Sequence, residues 1–185
     1  MARQFTACKE KVSNRGRPPD AFLDDLVDWG ISAPAHVFAK NDKFDIYSSI
    51  VQELCPWQSD LHRRAVMLEA LRVLGGFESS WNWDEGVDIT NPTSNTPCTE
   101  EAGIFQCSGN SMDIDPSLKT LLVATGADGS CDSFITTTKA DHVFAIGYCA
   151  RLIRFTTKHH GPIKGKFINP WLRRDAVAEF QAFLA

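Results

Sequence analysis

The sequence predicts a mainly α-helical domain that is interrupted by one long irregular segment. Apolar residues recur every three or four positions between residues 20 and 77, and again between residues 115 and 183, which is the spacing of amphipathic helices. Residues 79–113 lack this spacing and are rich in Asn, Thr, Ser, Pro, Gly and Asp. Because irregular segments of this length in compact domains are usually functional, we expect this one to line a cleft.

Three helices are predicted before the irregular segment, over residues 20–30, 44–54 and 61–77. The third can be capped by Ser59 or Asp60. Its apolar residues lie on more than one side, so we expect it to be the central, buried helix.

Three more helices are predicted after the segment, over residues 116–124, 138–155 and 170–183. The first and last of them begin with proline at the first helical position, preceded by Asp115 and Asn169 as caps. The expected result is a helical body with a long cleft loop in the middle of the chain.

Length and composition indicate one folded domain with a short appendage. The chain has 185 residues, with 43% hydrophobic and 23% charged residues, so a packed core is expected. Residues 1–18 are polar and basic and are predicted to form an N-terminal arm, followed by a single domain over residues 19–185. The net charge of -4 argues against nucleic acid as the main partner, because phosphate binding needs a basic face.

The six cysteines suggest an oxidising compartment, because disulfides are rare in reducing ones. The sequence has no apolar run of signal-peptide or membrane-span length. We therefore expect secretion by a route that does not use a signal peptide, with buried free thiols as the alternative. Cys98–Cys107 and Cys131–Cys149 are the candidate disulfides, although six cysteines allow many pairings.

Glu78 is the first candidate catalytic residue. It follows the predicted central helix, opens the irregular segment and lies close in sequence to Phe77, Trp81 and Trp83. Apolar surroundings favour the protonated form of a carboxyl group, which suits a general acid. A solvated glutamate at a helix end is the alternative interpretation.

Further carboxylates follow in the same segment, at Asp84, Glu85, Asp88, Glu100 and Glu101. Glycoside hydrolysis uses two carboxyl groups: one protonates the leaving oxygen and the other activates water or stabilises positive charge. The nearby tryptophans and amides suit a carbohydrate, whose rings present apolar faces between hydroxyl groups. The density of acids around Glu78 therefore indicates a glycosidase.

These residues resemble the lysozyme-like superfamily. Goose-type lysozymes and lytic transglycosylases carry a catalytic Glu followed by Ser at the end of a central helix, as Glu78–Trp81 would here, and then a Gly-Leu-Met-Gln-like segment, matched by Gly103–Gln106. The resemblance covers about residues 60–157 and implies an α+β lysozyme-like fold. The size, the cysteines and the missing signal peptide are also similar to type VI secretion peptidoglycan glycoside hydrolase effectors, which are muramidases injected into a rival's periplasm.

The resemblance implies cleavage of the glycan strand between N-acetylmuramic acid and N-acetylglucosamine, with Glu78 as the acid. It does not identify the second catalytic carboxylate, for which Glu101 is preferred and Asp88 is next. It also does not decide between hydrolysis and transglycosylation. It implies no cofactor, and it implies a cognate immunity protein that occludes the cleft. The expected substrate-binding residues are Ser79, Trp81, Trp83, Gly103, Gln106, Ser108 and Tyr148.

Two other interpretations remain open. A Cys-His amidase could use Cys55 ahead of a helix, with His142, His159 or His160 as the base. A sugar-binding module could use Trp57 together with Trp81 and Trp83 without catalysis. A zinc site is not expected, because the spacing of Cys98 and Cys107 is wider than in common zinc knuckles and because His159 and His160 are adjacent.

Overall fold

A computed structural model describes residues 3–56, 58–86 and 93–185. In these ranges the protein is mostly helical, which confirms the mainly α prediction, and it has one short β-hairpin. The helices are α1 Asp20–Ser32, α2 Ile46–Leu54, α3 Asp60–Ser79, α4 Pro116–Val123, α5 Cys131–Ala140, α6 His142–Phe155, α7 Gly161–Lys164 and α8 Arg174–Leu184. Short 3-10 turns cover Ala35–Val37, Gly109–Asp113 and Asn169–Trp171, and the strands are β1 Glu101–Ala102 and β2 Cys107–Ser108.

Helix α3 is the central helix of the fold. It begins at its predicted cap, where the Ser59 hydroxyl accepts a hydrogen bond from the backbone N–H of His62 at 3.0 Å. It packs against α1, α2, α6, α7 and α8, and nearly all of its length is buried. A helix that is enclosed on every side needs apolar residues on every side, as its sequence indicated.

The carboxyl end of α3 is closed by Trp81. Ser80 and Trp81 adopt left-handed backbone conformations, and the Trp81 indole N–H donates to the carbonyl of Arg72 at 2.9 Å. The indole ring lies so close to α3 that a Cβ added at Gly76 would come within 2.7 Å of it. The glycine in the last turns of α3 therefore makes room for Trp81.

The hairpin pairs β1 and β2 in antiparallel register, with Glu101 opposite Ser108. Its turn requires a left-handed backbone at Gly103 (φ 69°), and a Cβ there would meet the side chain of Thr138 at 2.9 Å. The hairpin turn is thereby packed directly against α5.

Two predicted helices have boundaries that differ by more than two residues from those observed. The predicted helix over 138–155 is wrong at its start: α5 ends at Ala140, and Asp141 caps α6 by accepting from the N–H of Phe144 at 2.9 Å. Helix α5 was missed because its Ser- and Thr-rich sequence has weak apolar periodicity. The predicted final helix begins later, because a 3-10 turn at Asn169–Trp171 precedes α8.

The N-terminal segment lies against the helical body. Phe5, Cys8 and Val12 are buried, and Glu179 of α8 accepts hydrogen bonds from the backbone N–H groups of Thr6 (2.8 Å) and Cys8 (2.7 Å).

Within the described ranges, none of the helices combines the length and the hydrophobicity that crossing a membrane requires.

Candidate functional site

Four chemically active side chains meet at the carboxyl end of α3. Glu78 lies in its last turn, Cys107 comes from β2, Cys149 from α6, and His160 stands at the amino end of α7. We call this group the Glu78–His160 cluster. It is assembled from four separate segments of the chain, so it depends on the packing of the whole fold.

His160 is the centre of the cluster and contacts its three other members. Its Nδ1 lies 3.1 Å from Oε1 of Glu78. Its Nε2 lies 3.9 Å from Sγ of Cys107 and 3.7 Å from Sγ of Cys149. One nitrogen of the imidazole ring therefore faces a carboxyl group, and the other faces two sulfur atoms.

The four members of the cluster differ in how far they are exposed to solvent. Cys149 is 0% exposed, Cys107 2% and His160 3%, whereas the side chain of Glu78 is 16% exposed. Within the cluster, Glu78 is the only member whose side chain is partly exposed. A large substrate can therefore approach the carboxyl group more readily than the thiols.

The cluster changes the proton affinities of its members. The hydrogen bond from Cys149 and the neighbouring His160 lower the pKa of the Cys107 thiol to about 6, against the effect of burial. Burial, together with the neighbouring Cys107, raises the pKa of Cys149. Burial alone would lower the pKa of His160, but the hydrogen bonds to Cys107 and Glu78 outweigh it and raise the pKa to about 10. Both shifts favour the charged forms, a thiolate at Cys107 and a protonated ring at His160.

The hairpin turn is fixed next to Glu78 by the neighbouring residue Ser79. The buried Ser79 hydroxyl donates to the carbonyl oxygen of Ile104 at 2.8 Å. In the same turn, the side-chain amide of Gln106 donates to the carbonyl of Gly103 at 2.9 Å. The sequence-predicted residues Glu78, Ser79, Gly103 and Gln106 are thus brought together, although the amide N–H of Gln106 is used within the turn.

The two tryptophans of the predicted cleft differ in exposure. Trp81 is 5% exposed and packs on α3, so its ring supports the helix end. Trp83 is half-buried, and its ring stacks on His142 with centroids 3.7 Å apart. His142 in turn pairs with Asp25 of α1 through a 2.8 Å contact. Of the two rings, Trp83 is the one with a partly open surface.

Two other predicted substrate-binding residues lie inside the protein. The Tyr148 hydroxyl is 2.6 Å from the Ser111 hydroxyl, and burial raises the pKa of this tyrosine. The Ser108 hydroxyl donates to Oδ1 of Asn110 at 2.7 Å, and Ser108 is 5% exposed. These groups hold the segment after β2 in place.

The candidate second carboxylates are spread along the irregular segment. Glu101 lies in β1 and is partly exposed, opposite Ser108 of β2. Glu85 is partly exposed, and its carboxylate accepts a hydrogen bond from Asn82 at 3.0 Å. Asp88 lies outside the described residues, as does Trp57.

The predicted disulfide pairings are wrong. Cys98 pairs with Cys131 at the start of α5, across 33 residues, whereas Cys107 and Cys149 are free thiols. The prediction paired cysteines that are neighbours in the sequence, but the fold places the loop before β1 beside the start of α5 and brings the Cys107 thiol close to that of Cys149. The disulfide attaches the irregular segment to α5.

The structure also places Cys55 differently from the amidase interpretation. Cys55 is the C-cap of α2, at the carbonyl end of that helix, where the helix dipole has the opposite sign from the one invoked. The thiols of Cys107 and Cys149 are the ones that contact His160. His160 was considered from the sequence as a base, but nothing in the sequence linked it to Glu78.

Buried charged groups beside a cavity elsewhere in the protein are already paired. This cavity of about 340 Å³ lies between α2 and α3 and is bordered by Asp45, Tyr47 and Arg63. Arg63 lies over the Tyr47 ring at 3.6 Å, and Asp45 pairs with Arg154 at 2.9 Å. The Glu78–His160 cluster therefore remains the better candidate for chemistry.

No family model, curated protein or solved structure matches this chain.

Proposed function

We propose that this protein is a peptidoglycan glycoside hydrolase, a muramidase that cleaves between N-acetylmuramic acid and N-acetylglucosamine. One observation carries the proposal: Glu78 stands with a partly exposed side chain at the carboxyl end of the central buried helix, where its neighbour Ser79 is bonded to the hairpin turn of Gly103–Gln106. A single carboxyl group held at the border between a dry core and a polar segment suits proton donation to a glycosidic oxygen.

In the proposed reaction, Glu78 protonates the oxygen of the scissile bond while positive charge develops on the sugar ring. The hydrogen bond from Nδ1 of His160 fixes Oε1 of Glu78 and leaves Oε2 for the substrate. For hydrolysis, Glu101 or Asp88 would hold the attacking water. For transglycosylation, the hydroxyl group of the sugar itself attacks and no second carboxylate is needed.

A cysteine amidase is less well supported by the same residues. A thiolate, an imidazole and an orienting carboxylate are the groups that such an enzyme uses. However, Cys107 is 2% exposed and Cys149 is 0% exposed, so a peptide bond of the cell wall could reach neither sulfur without a large opening of the fold. The greater exposure of the Glu78 side chain therefore favours a reaction at its carboxyl group over one at the thiols.

The proposed site of action is the periplasm of a target bacterium, where the protein would act as an antibacterial effector. The Cys98–Cys131 disulfide is consistent with an oxidising compartment. A cognate immunity protein would protect the producing cell by covering the surface around Glu78.

The direct test is mass spectrometry of the muropeptides that the purified protein releases from sacculi. We expect new N-acetylmuramic acid ends on glycan fragments with intact stem peptides. Reducing ends would indicate hydrolysis, and 1,6-anhydro ends would indicate transglycosylation at the same bond. Cut stem peptides would contradict the glycosidase in favour of an amidase, and binding to sacculi without cleavage would favour a sugar-binding module.

A further inference from the structure

Three buried metal-ligating side chains converge on one point in the fold, and the proposed glycosidase reaction uses none of them directly. We propose that Cys107, Cys149 and His160 bind a zinc ion, with Glu78 orienting His160 from the far side of the ring. The site is independent of the proposed function, because it does not require Glu78 to be catalytic.

The distances between the donor atoms fit a tetrahedral zinc ion. The two sulfur atoms and Nε2 of His160 all lie within 4.8 Å of one another, with Nε2–Sγ distances of 3.9 Å and 3.7 Å. With zinc–sulfur bonds of about 2.3 Å and zinc–nitrogen bonds of about 2.0 Å, donor atoms in a tetrahedron are about 3.5–3.8 Å apart. Small side-chain movements would therefore complete the coordination.

The remaining nitrogen of His160 has the partner that zinc-binding histidines usually have. Nδ1 lies 3.1 Å from Oε1 of Glu78, so a carboxylate holds the N–H at this nitrogen and fixes the ring. Nε2 then faces the side where both sulfur atoms lie, and the loss of its proton on metal binding would make it a ligand. This arrangement provides a carboxylate–histidine–metal chain.

The donor types also favour zinc. Thiolate and imidazole ligands suit zinc, whereas calcium and magnesium prefer oxygen. Binding would release the thiol protons and the Nε2 proton to solvent, and two thiolates would neutralise the charge of Zn²⁺ inside the core. Three protein ligands leave the fourth position of the tetrahedron to a water molecule.

The ligands come from β2, α6 and the start of α7, so a bound ion would join three parts of the fold. Their positions in the sequence, 107, 149 and 160, follow no short zinc motif, so this site could not be predicted from sequence spacing. A zinc ion here would hold the hairpin against the helices behind Glu78.

The test is the metal content of the full-length protein after exposure to zinc and removal of unbound metal. We expect about one zinc per chain in the wild type, and at least a tenfold lower content in Cys107→Ser and Cys149→Ser. Cys55→Ser, which removes a free thiol outside the cluster, should retain the zinc of the wild type.

Cobalt substitution of the wild-type protein provides a readout that needs no variant. Tetrahedral thiolate coordination predicts intense visible ligand-field bands and a sulfur-to-cobalt charge-transfer band. Cobalt without these bands, or less than a tenth of an equivalent of zinc in the wild type at saturating zinc, would overturn the proposal. A disulfide between Cys107 and Cys149 in the purified protein, detected by intact mass after alkylation, would also overturn it.

Discussion

Nδ1 of His160 is hydrogen-bonded to Oε1 of Glu78 at 3.1 Å, although 82 residues separate them in the sequence. This contact joins the end of the central helix to the start of α7. It restricts the rotation of the one carboxyl group in the cluster that reaches solvent. In the proposed reaction, His160 is therefore a positioning residue for the general acid.

Two conservative variants separate the contacts of His160. An Asn side chain places its N–H₂ near the position of Nδ1 and can still donate to Glu78, whereas Gln places it near Nε2, facing the sulfur atoms. We expect His160→Asn to retain the lytic rate within a few-fold and His160→Gln to lose about 100-fold in kcat, since a small misplacement of a catalytic group can have that cost.

The measurement is the rate of sacculus solubilisation, together with thermal unfolding of both variants. Equal rates for folded Asn and Gln variants would show that the contact with Glu78 does not position the acid. His36→Ala, which removes an exposed histidine, is the control.

The disulfide between Cys98 and Cys131 should contribute strongly to stability. Closing a loop of 33 residues reduces the entropy of the unfolded chain, and the expected contribution is about 3–4 kcal/mol. The double variant Cys98→Ser/Cys131→Ser should therefore lose this amount in urea unfolding. Reductant should lower the stability of the wild type and leave the double variant unchanged. A reductant effect of the same size in both proteins would contradict this assignment.

Gly76 is required by the close packing of Trp81 on α3. A Cβ at position 76 would lie 2.7 Å from Cζ2 of Trp81, and the indole N–H is fixed by the carbonyl of Arg72. Gly76→Ala should reduce the free energy of unfolding by about 1–3 kcal/mol, although alanine is the better helix former.

Gly161→Ala is the matched control, because nothing lies within 4 Å of a Cβ at position 161. It should change the stability by less than about 0.5 kcal/mol. Thermal or urea unfolding of the two variants compares them directly. A Gly76→Ala protein as stable as the wild type would show that Trp81 is not held against the helix.

Glu69 and Arg72 form a fully buried ion pair inside α3, with two contacts of 2.7 Å. Arg72→Met should cost about 3–5 kcal/mol, because it leaves the buried Glu69 carboxylate without a positively charged partner. The double variant Glu69→Gln/Arg72→Met should lose less than the sum of the two single variants. If the losses in stability of the two single variants add up to the loss of the double variant, the two side chains are not coupled.

The same pair predicts a pH dependence. Burial raises the pKa of Glu69 above its usual 4.5, and Arg72 opposes this shift. In Arg72→Met the folded state should therefore bind a proton more readily than the unfolded state, so its stability deficit relative to wild type should shrink as the pH falls from about 7 towards 4.5. The free energies of unfolding of both proteins across this range provide the test.

Local signals in the sequence predicted much of the helical body. Ser59 and Asp115 cap α3 and α4 as expected, and the stripes of apolar residues identified α3 as the central helix. Such signals act within a few residues, so they can be read without the fold. Helix α5 was missed because its stability depends on contacts with the hairpin and α6, and its own apolar pattern is weak.

The candidate site could be predicted only in part. Glu78 and the Gly103–Gln106 turn were selected from their order along the chain, and the structure brings them together. The pairing of Cys98 with Cys131 and the contacts of His160 depend on which distant segments pack side by side. Sequence spacing carries no information about that packing, so neither relationship was predicted.

The most direct test of the central claim is the lytic rate of Glu78→Gln on purified peptidoglycan. The amide keeps the shape of the side chain but cannot donate the acidic proton, so the rate should fall by about 100-fold to 10,000-fold while the far-UV spectrum and thermal unfolding remain those of the wild type. Glu10→Gln, at a surface ion pair with Arg17, should keep full activity. A folded Glu78→Gln protein that solubilises sacculi at the wild-type rate would contradict the account.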